Sequence, residues 1–208
     1  MNLVRRSVSL LAVGLVTCAC SPVPMLQGGD VLRSGSKDSG LALVTLLPTR
    51  RNTFLIAPQN AEVEELYHKP LPHLVGWYRQ GVKMGEIQAS FQVPGFVMGG
   101  GFKMPLWGRA RGSVFSLAAS MDVASSPVLV QFGTGISLHA TVRPGPGWAL
   151  DLTTRFGASP GLWTRGAVTI LGGVSLGETR PWRIMAGAVI DPGTGSSPGA
   201  YLGIGKSL

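Results

Sequence analysis

Residues 84–93 read MGEIQASFQV, and the polar side chains fall on every second position. Glu86, Gln88, Ser90 and Gln92 share one parity, while Ile87, Ala89, Phe91 and Val93 share the other. Successive side chains of a strand point to opposite faces, so this stretch is a ribbon with one wet side and one oily side. The fold depends on which side faces inward. A soluble barrel keeps its apolar face inside, and a membrane barrel turns it to lipid.

The same alternation recurs along most of the chain. In 96–104, FVMGGGFKM, the residues Phe96, Met98, Phe102 and Met104 oppose Lys103. In 113–123, Phe115, Leu117, Met121 and Val123 oppose Ser116, Ser120 and Asp122. In 128–143, Val130, Phe132, Ile136, Leu138 and Val142 oppose Gln131, Ser137, His139, Thr141 and Arg143. Further on, Leu150, Leu152 and Phe156 oppose Asp151, Thr153 and Arg155, and Ile170 and Val174 oppose Arg165 and Thr169. Ile184 and Ala186 oppose Arg183, and Leu202 and Ile204 oppose Tyr201, Gly203 and Gly205. Turn residues interrupt these runs at short intervals, as at Pro94-Gly95, Pro144 to Gly147 and Ser159 to Gly161. With 41–47 and 74–80 added, about ten strands are expected, with eight as the alternative count. Connections this short join antiparallel neighbours. Closure into an up-and-down barrel removes the two naked edges that a long meander would leave. The single helical candidate is 61–69, AEVEELYHK.

Composition of the polar face selects the side. Of 208 residues, 45% are hydrophobic and only 13% charged, against roughly 25% charged in soluble domains. The outer face of a soluble barrel carries Lys, Glu and Asp on nearly every strand. Here the polar face is Gly, Ser, Thr and Gln with single charges of both signs. Small residues and paired charges suit a narrow lumen, so a polar network is expected inside, built from Glu86, Lys103, Asp122, His139, Arg143, Asp151, Arg155, Arg165 and Arg183. The apolar face is almost free of charge, as a face against lipid must be. With this strand count Trp77, Trp107, Trp148 and Trp182 fall near one end and form an interfacial girdle. Turns at that end carry Arg79, Lys83, Arg109, Arg111 and Arg180, and the opposite end carries Glu62, Glu64 and Glu65.

The first 22 residues, MNLVRRSVSLLAVGLVTCACSP, join a basic start (Arg5, Arg6) to an apolar run too short to span a bilayer. Both cysteines of the chain, Cys18 and Cys20, lie here. The stretch resembles a bacterial lipoprotein lipobox, and that resemblance implies a lipidated cysteine. Cys20, preceded by Ala19, is the better fit, and Cys18, preceded by Thr17, the poorer. The implied organisation is a signal peptide over 1–19, a lipidated flexible tether over 20–40 and a barrel over 41–208. Ser21 after the cysteine, rather than Asp, favours transport to the outer membrane in the lipoproteins it resembles. The stretches LVGWYRQGVKMGEIQASFQVPG and FVMGGGFKM resemble small Gly-rich outer-membrane β-barrel proteins of Gram-negative bacteria. The resemblance covers about two-thirds of the chain and implies a transmembrane barrel without implying a substrate.

Chemistry-bearing residues are few. Ser137 and His139 share a face, but same-face neighbours along a strand are about 7 Å apart, too far for a direct bond. No catalytic residue is therefore assigned. His68 and His73 lack cysteines or close carboxylates for a metal, and Gly99-Gly100-Gly101 opens no helix that would cradle phosphate. No cofactor is expected. The net charge of +8 comes without a basic run, which argues against nucleic acid. The expectation is a non-enzymatic, lipid-anchored outer-membrane barrel with a periplasmic N-terminus and a plugged or very narrow polar lumen. Its partners would be outer-membrane lipid and another envelope protein. The alternatives are a periplasmic lipoprotein whose soluble barrel binds a hydrophobic ligand, a lipid-modifying enzyme, and a small-solute channel.

Overall fold

Ten antiparallel strands close on themselves in the computed structural model of the chain. They are β1 (Lys37–Leu47), β2 (Leu71–Val82), β3 (Gly85–Val93), β4 (Val97–Trp107), β5 (Phe115–Ser126), β6 (Gln131–Gly145), β7 (Trp148–Ser159), β8 (Arg165–Leu176), β9 (Trp182–Ile190) and β10 (Gly199–Ser207). The structure describes residues 26–47, 71–93, 96–108, 113–126, 131–159, 165–178, 181–190 and 199–208. The helical candidate at 61–69, the acidic residues Glu62, Glu64 and Glu65, His68, and the basic turn residues Arg109, Arg111 and Arg180 lie outside that set. So do Cys18 and Cys20.

Each strand pairs with its neighbours in sequence, and β1 closes the ring on β10 through Gly40↔Ser207 to Leu47↔Ala200. Every strand therefore lacks a free edge, as expected for an up-and-down barrel. The register keeps each parity on one face. Ile87, Phe91, Phe102, Met121, Ile136, Leu138, Leu152, Phe156, Ile170, Ile184 and Leu202 are exposed on the outside. Their neighbours Glu86, Gln88, Lys103, Ser120, Ser137, His139, Thr153, Arg155, Thr169 and Arg183 are buried within. The apolar face points out and the polar face points in.

The interior is not uniformly polar. Ala42, Val44, Val75, Trp77, Leu171, Met185 and Tyr201 form an apolar cluster with Leu26, on the wall made by β1, β2, β8, β9 and β10. The charged and hydroxyl-bearing side chains lie mainly on β3 to β7.

Two expectations are corrected here. Trp77 does not join an outer girdle: it is 5% exposed and turned inward. Its partner across the β1–β2 ladder is Gly40, and a Cβ there would overlap the indole ring, so glycine makes the space that lets the ring lie inside. The other three, Trp107, Trp148 and Trp182, are exposed on the outside at the end where β1 starts and β10 finishes, here the Trp rim. Arg79 likewise belongs to the lumen rather than to a rim turn, at 2% exposure.

The second correction concerns the tether. β1 opens at Lys37, ahead of the expected boundary, and Leu26, Gln27, Gly28, Gly29 and Val31 are buried. From the Trp rim this segment runs into the barrel, so that Leu26 reaches the level of Ala42 and Val44 near mid-height. A stretch rich in Gly and short polar residues without a period reads as a linker. The same composition also lets a chain lie close against a crowded wall.

Candidate functional site: the plugged lumen

The segment 26–32 is held in the lumen by side chains of the wall. Lys103 on β4 donates from Nζ to the carbonyl oxygens of Gly28 and Asp30, both at 2.7 Å. Arg183 on β9 donates from Nη1 to the Leu26 carbonyl at 2.7 Å. The Gly29 amide donates to Thr141 Oγ1 at 2.6 Å, and the Leu32 amide donates to Glu86 Oε2 at 2.9 Å. Gln27 and Gln88 exchange amide hydrogen bonds at 3.1 and 2.8 Å. Arg143 pairs with the Asp30 carboxylate, and Ser116 donates to the same carboxylate at 2.8 Å. A buried backbone group without a partner is costly, and here the barrel supplies those partners from side chains.

Fit along the segment is close. A Cβ at Gly28 would fall onto the Asp151 carboxylate, and one at Gly29 would meet the Ser116 carbonyl and the Thr141 amide. These two positions accept only glycine without displacing the wall. Leu26 packs against Gly203 and Gly205 on the apolar wall, which seats the far end of the segment.

Behind the segment lies a network of ion pairs and hydroxyls. Glu86 sits directly across the β3–β4 ladder from Lys103, with Nζ 3.9 Å from the carboxylate. Arg79 approaches the same carboxylate at 3.5 Å and pairs with Asp38. Gln88 donates to Glu86 at 2.6 Å. Arg155 grips Asp122 through Nη2 at 2.6 Å and Nε at 3.2 Å. Asp151 takes hydrogen bonds from the hydroxyls of Thr141 and Ser175. A buried charge keeps its ionised form only with such company. Asp30, on the plug rather than in a strand, is pushed upward by burial. The Arg143 hydrogen bond and charge, with Ser116 and Lys103, outweigh that and hold its carboxyl below the ordinary range.

His139 is joined to Ser120 and Thr153, not to Ser137. Its Nε2 lies 2.9 Å from Ser120 Oγ and its Nδ1 lies 2.9 Å from Thr153 Oγ1. Thr153 donates its only hydroxyl hydrogen to the Gln27 carbonyl at 3.0 Å, so it must accept from Nδ1–H. The bare Nε2 then accepts from Ser120. This chain of donors ends on the plug, and all three side chains are buried. It resembles a nucleophile and base in spacing, yet the atom that it reaches is a backbone oxygen of the chain itself, so it works as a strut.

The structure thus places Glu86, Lys103, Asp122, His139, Arg143, Asp151, Arg155 and Arg183 together inside the barrel. Arg165 opens β8, with its side chain outside the described residues. Asp30, Asp38, Arg79 and Gln27 join this network beyond the residues expected from parity. Arg79 was legible, because it shares the parity of Val75 and Trp77 in β2, both of which point inward. Asp30 and Gln27 carried no periodic signal. Among the described residues no group of three or more His, Cys, Asp and Glu could hold a metal ion. A cavity of about 450 Å³ opens beside the plug at the Trp rim, between Asp30, Arg143, Trp148, Asp151 and Arg183. Compared with protein-family models and with curated proteins, the chain matches none, so its reading rests on this geometry.

Proposed function

We propose that this chain is an outer-membrane β-barrel, lipid-anchored at Cys20, with a structural or interaction role in the cell envelope and no enzymatic activity. The observation that carries the reading is the inversion of the barrel. Ile136 and Leu138 are 57% and 48% exposed on the outside, while Lys103 and Glu86 are fully buried inside. Burying charge while exposing a continuous belt of Leu, Ile, Phe and Met is unfavourable in water and favourable in a bilayer. Trp107, Trp148 and Trp182 at one rim, with Lys206 5.1 Å above the Trp182 ring, suit the boundary between acyl chains and headgroups. A lumen filled by the chain's own segment supports a resting role at the rims and outer face, toward lipid and a second envelope protein. It offers no cavity for a hydrophobic ligand in the space occupied by the plug.

The test is fractionation of Cys20→Ala beside the wild type, with gel mobility before and after boiling. Both proteins are expected in the outer-membrane fraction, dependent on detergent and faster on gels when unboiled. A Cys20→Ala protein that stays monodisperse in buffer without detergent contradicts the reading.

A further inference from the structure

We infer that the segment Leu26–Asp30 is a displaceable plug, and that the lumen it vacates is an anion-selective path. The inference rests on the membrane reading above. The plug is not a strand of the barrel. Its carbonyls and amides are bound by wall side chains, whereas strand-like backbone bonding to the wall begins only at Gly35 and Ser36, which exchange bonds with Gly81 at 2.9 and 2.8 Å. Its one buried apolar side chain is Leu26, and the wall binds the rest of it through hydrogen bonds and the Arg143–Asp30 pair.

The charges on the wall set the selectivity. Arg79, Lys103, Arg143, Arg155 and Arg183 face the lumen, against Asp38, Glu86, Asp122 and Asp151. Among the described lumen-facing residues of the strands that is five cations against four anions, and Asp30 of the plug brings that sum to zero, while Glu178 lines the cavity at the Trp rim. The three cations that touch the plug all touch its oxygens: Lys103 takes two carbonyls, Arg183 takes one, and Arg143 takes the Asp30 carboxylate. A plug that presents oxygen to a row of cations occupies the place that a passing anion would take. The cavity beside Arg143 and Arg183 at the Trp rim leads from solvent to this row. Removing one extended chain from between barrel walls opens a passage of about 5 by 10 Å, the spacing that one strand occupies, which admits a small inorganic anion.

Planar-bilayer recording in a potassium chloride gradient tests this. The wild type is expected to be silent. A variant lacking residues 21–30, which keeps Cys20 and every strand, is expected to conduct with a reversal potential on the chloride side. Lys103→Gln in that background should move the reversal potential toward zero. A synthetic peptide of the sequence LQGGDVLR should close the conductance, and a scrambled peptide should not. Gly29→Val in the full chain offers a second route to the open state. If neither variant folds, wild-type protein in stepwise urea, while still heat-modifiable, should show chloride-selective openings. Silence or cation preference in a heat-modifiable plug-free form overturns the inference. Wild-type protein that fails to float with lipid vesicles in a density gradient overturns the membrane reading itself, and flotation read beside conductance keeps the two failures distinguishable.

Discussion

Lys103 holds both the wall and the plug. It lies across from Glu86 and also binds two carbonyls of the plug, with no exposure to solvent. Lys103→Met removes one partner of a buried pair and should cost roughly 3–5 kcal/mol, read as a lower temperature for loss of the fast gel band. An unchanged transition would mean that the pair contributes nothing. Asp30 makes a different prediction. Because its carboxyl is held below the ordinary range, its contribution is complete above its unfolded value and is lost only as pH falls through the lowered native one. Amide protection of the plug should be equal at about pH 5 and about pH 7 and weaken only in stronger acid. At this scale the sequence was legible where a residue sat in a periodic run, as Lys103, His139 and Arg183 did. Trp77 was misjudged because an aromatic residue suits both an interface and a core. Gly40, which decides the matter, belongs to a neighbouring strand.

The plug is the element that periodicity could not reveal. SPVPMLQGGDVLRSGSKDSG has the composition of a linker, and flexible linkers and inserted segments both favour small residues that tolerate close neighbours. Strands were legible because their partners are identical in kind: ten alternating runs, most of them joined by short connections, leave one economical topology. The plug's partners are instead individual side chains scattered over β3, β4, β5, β6, β7 and β9. Its glycines give the sharpest test. Gly29→Val forces a side chain onto the Ser116 carbonyl and the Thr141 amide, so hydrogen exchange should rise across 26–32 while the strands keep their protection. Rapid exchange of that segment in the wild type would contradict a seated plug.

At the scale of the whole molecule, the inverted distribution of polarity gathers the ion pairs, the plug and the Trp rim into one account. Leu138, on the outer face of the central part of β6, tests its cost: Leu138→Arg should destabilise the folded barrel in lipid by about 2–4 kcal/mol. A near-neutral effect would place that face against water. The most direct measurement is the accessibility of spin labels attached one at a time at Ile136→Cys, Ser137→Cys and Leu138→Cys in lipid vesicles. Labels at 136 and 138 should collide with dissolved oxygen far more than with a water-soluble nickel chelate, and the label at 137 should be shielded from both. A preference for the chelate at 136 and 138 would contradict the account.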